Sequence, residues 1–294
     1  IGKELVNILS SFGANLLIGD LKSRPNDFEE NIKYWHGDLN NITKDEIEDF
    51  GPEIIIHLAA TFERTEETYG FWEQSYHHNI KLTHHMIRLA NEVHTVKKFV
   101  FASSYLVYDS GQYLDIKSQN PNLLNEESKI NPRNHIGMAK LYNERELTYF
   151  ENFENIHYSI VITRIFRGYG RGSQDVISRW IRSAINGSEI ELYAENGIFD
   201  YIYSKDSASG IVKLLESEYS GIINLGGGKP RMISEVLSII KGHFNNIEIK
   251  KISKNIEIER SGSDNTKLKN ITNWQPIYSL ESAIEEIIEF ESKN

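Results

Sequence analysis

The sequence predicts an α/β protein built on a doubly wound parallel sheet, followed by a smaller lobe. The first observation is that several strands are near-continuous apolar runs, such as residues 54–56, which is typical of strands buried on both faces. The second is that these strands alternate with amphipathic helices up to about residue 165. Because crossovers between parallel strands are right-handed, this order places helices on both faces of one sheet.

The predicted elements of the first part follow the hydrophobic pattern along the chain. The opening helix has Leu5, Ile8 and Leu9 on one face. Because the sequence begins inside this helix, we expect further residues, including a first strand, upstream of Ile1. The other predicted elements are strands at 15–19, 33–35, 54–56, 98–101 and 158–165, a short helix at 44–50, a long amphipathic helix at 70–94, and a helix that carries Lys140.

Beyond residue 166 the alternation of apolar strands and amphipathic helices becomes less regular, and this change predicts the smaller lobe. The predicted elements there are helices at 176–186 and 206–217, short strands at 189–193, 200–204 and 221–225, and a last helix capped by Ser279. We expect residues 1–165, with contributions from about 196–224, to form the sheet domain. Residues 166–294 then form the lobe.

Composition excludes several classes of protein. The chain has 294 residues, a formal net charge of −10 and no cysteine. A negative chain without a basic patch is not expected to bind nucleic acid, and the lack of cysteine excludes disulfides and thiolate metal sites. No apolar run approaches the ~20 residues of a membrane helix, and no signal peptide is visible. We therefore expect a cytoplasmic protein with no membrane partner.

Polar and small residues follow the predicted strands at one edge of the sheet, where open α/β sheets bind cofactors. Asp20 ends a strand, and an acid there can accept hydrogen bonds from an adenosine ribose and repel a 2′-phosphate, which favours NAD over NADP. A simple turn aspartate is the alternative. Gly2 could belong to a glycine-rich turn that binds pyrophosphate. The further candidates at the next two strand ends are Asp38, Leu39, Leu58, Ala59 and Ala60.

A set of motifs in a fixed order runs nearly the whole length of the chain. They are Ile1-Gly2, Asp20, Gly37-Asp38-Leu39, His57-Leu58-Ala59-Ala60, Asn79, Ser103-Ser104-Tyr-Leu-Val107-Tyr108, Gly137-x-x-Lys140, Arg164-x-Phe166-x-x-Tyr169-Gly170, Asp200 to Asp206, Ser263-Asp264-Asn-Thr-Lys267-Leu268 and Asn273-Trp274-x-Pro276. In this order the chain resembles the extended short-chain dehydrogenase/reductase group, the NAD-dependent epimerase/dehydratase family of nucleotide-sugar enzymes. The resemblance implies a Rossmann-like NAD-binding domain and a substrate-binding lobe.

The resemblance also implies roles for individual residues. Ser104 stands where the family hydrogen-bonds the sugar hydroxyl that is oxidised. Lys140 stands where the family holds the nicotinamide ribose and lowers the pKa of a tyrosine base. The position of that tyrosine is occupied by Ile136, which cannot take a proton. The other implied cofactor contacts are Asn79, Ser103 and Arg164, and the other implied substrate contacts are Thr61, Phe166, Arg167 and Arg260.

Three replacements for the absent tyrosine base are open. His135 has a suitable pKa, but adjacent helical residues point about 100° apart. Tyr105 or Tyr108 could bring a phenol towards Ser104. A neutral Lys140 could act through Ser104. The alternative to catalysis is a degenerate family member that binds NAD and has a binding or regulatory role.

Two departures from the family pattern concern substrate recognition. Members that bind a nucleotide diphosphate commonly carry arginine just before an Asp-aromatic pair, and here Phe199 precedes Asp200-Tyr201. Arg260 resembles a second diphosphate-binding arginine. Arg167 stands where the family often has asparagine, and a cation there would suit a carboxylate or phosphate on the substrate. A surface salt bridge is the alternative for either arginine.

These observations together predict an NAD-dependent enzyme of the epimerase, dehydratase or ketoreductase type. Its predicted substrate is a small-molecule sugar linked to a nucleotide. The enzyme would alter this sugar through transient hydride transfer. The resemblance implies a homodimer formed through the long helix near 70–94 and the Lys140 helix. The pairs His77-His78 and His84-His85 lie two helical turns apart, but no carboxylate interleaves at ligand spacing, so we expect no metal.

Overall fold

The structure is a computed structural model that describes residues 1–61, 67–115, 117–153, 155–252 and 257–293. Its strands are β1 (Leu17–Asp20), β2 (Lys33–His36), β3 (Ile54–His57), β4 (Lys98–Ser104), β5 (Asn122–Leu124), β6 (Ser159–Ile165), β7 (Arg167–Tyr169), β8 (Ile190–Leu192), β9 (Ile198–Phe199), β10 (Tyr201–Tyr203), β11 (Gly221–Leu225), β12 (Arg231–Met232), β13 (Ile249–Lys251) and β14 (Ser261–Ser263). Its helices are α1 (Gly2–Ser11), α2 (Lys44–Glu48), α3 (Tyr69–Ser75), α4 (Leu82–Glu92), α5 (His135–Phe153), α6 (Val176–Ile185), α7 (Ser204–Leu215), α8 (Ile233–Gly242), α9 (Thr266–Thr272) and α10 (Leu280–Glu291).

The centre of the fold is a parallel sheet in the order β11-β6-β4-β3, and β1 pairs with β2 in a second parallel sheet. The register places Ser104 opposite Ile165 and His57 opposite Phe101. Because the strands run in one direction, their carboxyl ends meet at one edge. The predicted parallel α/β architecture is therefore confirmed.

Helices cover both faces of the sheet, and successive side chains of β4 point to opposite faces. Phe99 and Phe101 pack with α4 and α5, whereas Val100 and Ala102 pack with α1, α7 and α9. All four side chains are buried. This arrangement explains the apolar strands that the sequence displays, since a strand covered twice has no solvated face.

The lobe has its own core, formed by α6, α8 and α10 around β8, β9 and β10. β11 and α7, by contrast, belong to the sheet and its cover. We propose that residues 1–165 form the sheet domain and that residues 166–294 supply the lobe. Of the contribution expected from about 196–224, α7 and β11 pack with the sheet, whereas β9 and β10 pack in the core of the lobe. No helix within the described ranges is both long enough and apolar enough to cross a bilayer.

Several elements differ from the predicted ones. The long helix is interrupted by a π-helical segment, Tyr76–Lys81, between α3 and α4, and such segments are frequent at functional sites. α8 and α9 were not predicted, although the buried residues Ile233, Val236, Leu237 and Ile240 of α8 have helical spacing. Ser279 does cap the last helix, since its side chain accepts a hydrogen bond from Ser282 N.

Candidate functional site

Ser104 and Lys140 are buried together at the carboxyl end of β4. Ser104 is the last residue of the strand, and its Oγ accepts a hydrogen bond from Leu106 N (3.2 Å) in the turn that follows. Lys140, on α5, donates from Nζ to the carbonyl oxygen of Ala102 (2.6 Å). Its Nζ also lies 4.7 Å from the ring centroid of Phe101. Helix α5 therefore holds the Lys140 amine against β4 at Ala102, two residues before Ser104.

Burial changes the proton affinity of this amine. It lowers the pKa of Lys140 to about 8, although the nearby Glu144 carboxylate acts in the opposite direction. His57 is buried beside it, and burial together with the charge of Lys140 lowers the pKa of His57 to about 3. His57 is therefore neutral near pH 7, and its Nε2 lies 3.0 Å from Thr83 Oγ1. Lys140 is the titratable group at this point of the sheet with a pKa near the working range of an enzyme.

Ile136 lies one helical turn before Lys140 and is 2% exposed. It packs into an apolar cluster with Phe71, Tyr105 and Phe166. The neighbouring Gly137 is required here, because a Cβ at that position would collide with the carbonyl oxygen of Leu106. The start of α5 is thus fixed tightly against the turn after Ser104, with an aliphatic side chain where the family resemblance implies a phenol.

The other candidate bases have different surroundings. The phenol of Tyr108 donates to Asn224 Oδ1 (2.6 Å), and burial raises its pKa to about 12, which makes it a poor base at neutral pH. The Tyr105 hydroxyl has no hydrogen-bond partner among the described residues, and its ring stacks on Phe166 at 5.2 Å. The His135 ring stacks on Trp72 at 5.6 Å.

Arg164 and Ser103 face the interior. Arg164 forms a bidentate ion pair with Glu144, with distances of 3.0 Å from Nε to Oε1 and 2.7 Å from Nη2 to Oε2, and both side chains are at most 2% exposed. Ser103 donates to the same carboxylate, and Arg164 Nη1 donates to Glu126 O (3.1 Å). These bonds tie α5 to β4 and β6 and so position Lys140. The cofactor contacts predicted for Arg164 and Ser103 stay predictions.

Other predicted cofactor residues lie along the edge of the two sheets. Asp20 is exposed at the end of β1, where its Oδ1 accepts a hydrogen bond from Lys22 N (2.9 Å). Gly2 begins α1, and a Cβ on it would lie 3.8 Å from Leu58 Cδ1, so the helix start lies beside the end of β3. Ala59, Ala60 and Thr61 follow Leu58, and Ala60 is exposed. Leu39 packs against Gly19 of β1.

Asn79 anchors the loop after β3. Its Oδ1 accepts from Thr61 N (2.8 Å), and its Nδ2 donates to Thr61 O (3.0 Å) and to Ser75 Oγ (2.9 Å). Asn79 lies in the π-helical segment and is 1% exposed. Because these two bonds hold both the N–H and the carbonyl group of Thr61, they fix the backbone of this residue, which is itself a predicted substrate contact.

Asp38 approaches the histidines of the same segment. Its Oδ2 accepts from His77 Nε2 (2.6 Å) and its Oδ1 from Asn40 N (3.0 Å). Burial raises the pKa of Asp38, but the hydrogen bonds from His77 and Asn40 outweigh it and bring the pKa to about 2. One donor atom each of Asp38, His77 and His78 lies within 4.8 Å of the others, a spacing that a metal ion could use. Sequence spacing did not reveal this cluster because the carboxylate comes from a different element.

A cavity of about 670 Å³ is lined mainly by residues of the lobe, together with Arg133 in the segment before α5. Arg167 lies in its wall, where its guanidinium carbon is 3.8 Å from the ring centroid of Phe199. Arg167 and Arg133 both form ion pairs with Glu259, at 2.9 Å and 2.8 Å. Sequence reasoning missed Arg133 and Glu259, because 126 residues separate them. Arg260 follows Glu259, and its backbone N–H donates to Tyr113 O (2.8 Å).

Comparison with known proteins supports the predicted family. A family model described as the NAD dependent epimerase/dehydratase family matches residues 1–226. The chain is similar to a UDP-glucuronate 4-epimerase of Thermodesulfobacterium geofontis, with 26% identity over 278 residues that cover 90% of this chain and 81% of that protein. It is also similar to a putative UDP-glucose 4-epimerase of Methanocaldococcus jannaschii, with 24% identity covering 100% of this chain and 96% of that protein.

The fold is likewise similar to that of a solved enzyme. The crystal structure of UDP-glucuronic acid 4-epimerase from Bacillus cereus, in complex with UDP-glucuronic acid and NAD, superimposes with a TM-score of 0.86. The match covers 100% of this chain and 96% of that chain at 21% identity. At this identity the likeness concerns the fold.

Proposed function

Because the chain belongs to the NAD dependent epimerase/dehydratase family, we propose that it is an enzyme that alters a nucleotide-linked sugar at the carboxyl end of β4. The observation that carries this proposal is that the buried amine of Lys140, on α5, donates a hydrogen bond to β4, the strand that ends at Ser104. A purely structural lysine would gain little from burial at this cost in solvation. The cavity in the lobe, which Arg133 and Arg167 line, supplies room for a nucleotide-linked sugar.

The residues at the sheet edge have the chemistry to hold NAD. Asp20 offers an exposed carboxylate for the adenosine ribose, and the start of α1 at Gly2 offers backbone N–H groups suited to phosphate. Asp38 and Leu39 follow β2, and Ala59 and Ala60 allow a close approach of the backbone. Lys140 lies at the far end, where it would hold the second ribose. Bound NAD supplies the acceptor and donor of hydride.

We assign the role of proton acceptor to Lys140. In this proposal Ser104 Oγ hydrogen-bonds the sugar hydroxyl, and the neutral amine of Lys140 takes up the proton that this hydroxyl releases. This route needs no phenol, so it is compatible with Ile136 at the position of the family's tyrosine.

The direct test is conversion of a sugar. Full-length protein is incubated with NAD and a panel of UDP-, GDP- and dTDP-sugars, and the products are separated by chromatography. We expect one sugar class to be epimerised, dehydrated, decarboxylated or reduced. Binding of NAD without conversion across the whole panel would instead favour the degenerate alternative. The predicted cytoplasmic location is a separate matter that this assay does not address.

The activity should depend on pH in the direction that a lysine base requires. Lys140 is active when neutral, and its pKa is lowered to about 8. We therefore expect log kcat/KM to rise with unit slope as the pH increases towards about 8 and to level off above it. Initial rates in a constant-ionic-strength buffer series measure this. A profile that is flat between about pH 6 and 9 would contradict the role of Lys140.

The predicted homodimer has a candidate surface. Tyr69, Trp72 and Tyr76 are 73%, 46% and 59% exposed along one side of α3 and the π-helical segment, and Met138 and Tyr142 of α5 are 53% and 52% exposed. Exposed aromatic residues in this density are typical of interfaces. We expect light scattering at about 10 µM protein to give twice the mass of the chain, and Tyr142→Glu to give a monomer. Ile277→Glu, at another exposed apolar residue, is the control that leaves the mass unchanged.

A further inference from the structure

Asp38, His77 and His78 converge beside the turn that follows β2. Asp38 Oδ2 lies 2.6 Å from His77 Nε2, and the rings of His77 and His78 meet edge to face with their centroids 4.8 Å apart. One donor atom of each residue lies within 4.8 Å of those of the other two. In the part of the chain that the structure describes, no second group of three histidine or acidic residues reaches this spacing. These three residues are called the His–Asp cluster below.

The π-helical segment explains why two adjacent histidines can approach one carboxylate. Adjacent side chains of an α-helix diverge by about 100°, which hinders two neighbours from sharing one ion. A π-helix has more residues in each turn, so its adjacent side chains diverge by a smaller angle. His77 and His78 both lie within this segment, Tyr76–Lys81. The segment therefore brings both imidazoles within reach of Asp38.

Asn40 orients the carboxylate of the His–Asp cluster. Its backbone N and its Nδ2 both donate to Asp38 Oδ1, at 3.0 Å each, which leaves Oδ2 to face His77. Asn40 Nδ2 also donates to the carbonyl oxygen of His77 (3.2 Å) and so connects the two segments. Outer hydrogen bonds of this kind hold the ligands of protein metal sites in position. The cluster therefore has the support that a binding site needs.

The donor atoms of the cluster select a class of metal ion. Two imidazoles and one carboxylate suit Zn²⁺ and the other late first-row ions, whereas Mg²⁺ and Ca²⁺ prefer oxygen ligands. The side chains of His77 and Asp38 are 39% and 26% exposed, so an ion can enter from solvent. Bonds of about 2.0–2.1 Å to a tetrahedral ion would separate Asp38 Oδ2 and His77 Nε2 from 2.6 Å to roughly 3.3 Å. This is a small adjustment of exposed side chains.

We propose that the His–Asp cluster binds one zinc ion, which joins the turn after β2 to the π-helical segment. Asp38 and His77 are 39 residues apart in the chain, so the ion connects two distant segments. An ion that binds only the folded protein stabilises it by mass action. The expectation of no metal considered only residues spaced along the helix, and Asp38 is the ligand that this spacing omits. The inference does not depend on the proposed function, because protein and metal alone test it.

The test is a calorimetric titration of Zn²⁺ into metal-free, full-length protein that carries no histidine tag. We expect one strong binding event per chain and binding of Mg²⁺ that is at least about 100-fold weaker. His78→Gln should weaken zinc binding by about tenfold or more, because it removes one ligand and leaves the hydrogen bond between His77 and Asp38 in place. Asp38→Asn is the second variant and should weaken zinc binding similarly, because it removes the negative charge.

The matched control is His94→Gln. His94 and His157 are another close pair of imidazoles, with ring centroids 5.1 Å apart, but they lie outside the His–Asp cluster. This variant should bind zinc as tightly as the original protein. An unchanged zinc affinity in His78→Gln or in Asp38→Asn would overturn the inference, and so would an equal loss in His94→Gln.

Thermal unfolding provides a second measurement. Zinc at about a 100-fold excess over its dissociation constant should raise the unfolding midpoint by about 5 °C, and His78→Gln should remove most of this rise at the same zinc concentration. Folded protein that binds no zinc at about 100 µM metal would overturn the inference. That result would leave the proposed function standing, since sugar conversion is measured separately.

Discussion

Replacing Lys140 with methionine should lower kcat/KM by about 10³-fold or more, because the variant loses the group that accepts the proton from the substrate hydroxyl. Methionine has a similar length and fills the buried site beside Ala102 and Phe101, so the fold should persist. Steady-state rates on the converted sugar measure the effect. Unfolding midpoints in urea verify that the variant is folded.

Lys140→Arg distinguishes the two roles that Lys140 is assigned. Arginine keeps a cation for the ribose but cannot become neutral at any working pH. We expect this variant to bind NAD within about threefold of the original affinity and to turn over as poorly as the methionine variant. Substantial turnover by Lys140→Arg would show that another group accepts the proton, such as the Tyr105 hydroxyl, which has no hydrogen-bond partner among the residues that the structure describes.

Replacing Arg164 with methionine should reduce the free energy of unfolding by about 3–5 kcal/mol. The change leaves the Glu144 carboxylate buried without its bidentate partner, and both side chains are at most 2% exposed in the intact protein. A shift of the urea midpoint at constant slope measures the loss. Arg88→Met is the matched control, because Arg88 pairs with Glu92 on the surface of α4, and a loss below about 1 kcal/mol is expected there.

The double variant Arg164→Met with Glu144→Leu tests the cause of this loss. Removing both charges eliminates the unpaired buried carboxylate, so the double variant should recover much of the stability. Ser103 loses its acceptor in this variant, so recovery should be incomplete. If the double variant instead loses as much unfolding free energy as the two single variants together, Arg164 stabilises the protein through packing against Tyr108 and not through charge.

The positions of Ser104 and Lys140 could be predicted because they depend on local pattern. A buried strand ends where its apolar run ends. Within one helix, Lys140 follows Ile136 by four residues and therefore lies on the same side. The partners of these residues could not be predicted in the same way. The sequence gives no sign that Arg164 pairs with Glu144, or that Asp200 accepts hydrogen bonds from Ser263 N (2.8 Å) and Gly228 N (3.0 Å).

By itself the sequence determined the parallel α/β architecture and the family, and it indicated the edge of the sheet at which we propose that the chemistry takes place. These follow from periodicity and from short motifs, which are properties of neighbouring residues. Only the tertiary structure decided that Lys140 is dehydrated enough to lose its proton near pH 8, and that Arg133 and Arg167 meet at Glu259. The physical reason is that a pKa and a buried ion pair depend on which distant segments exclude water, and chain spacing does not record that.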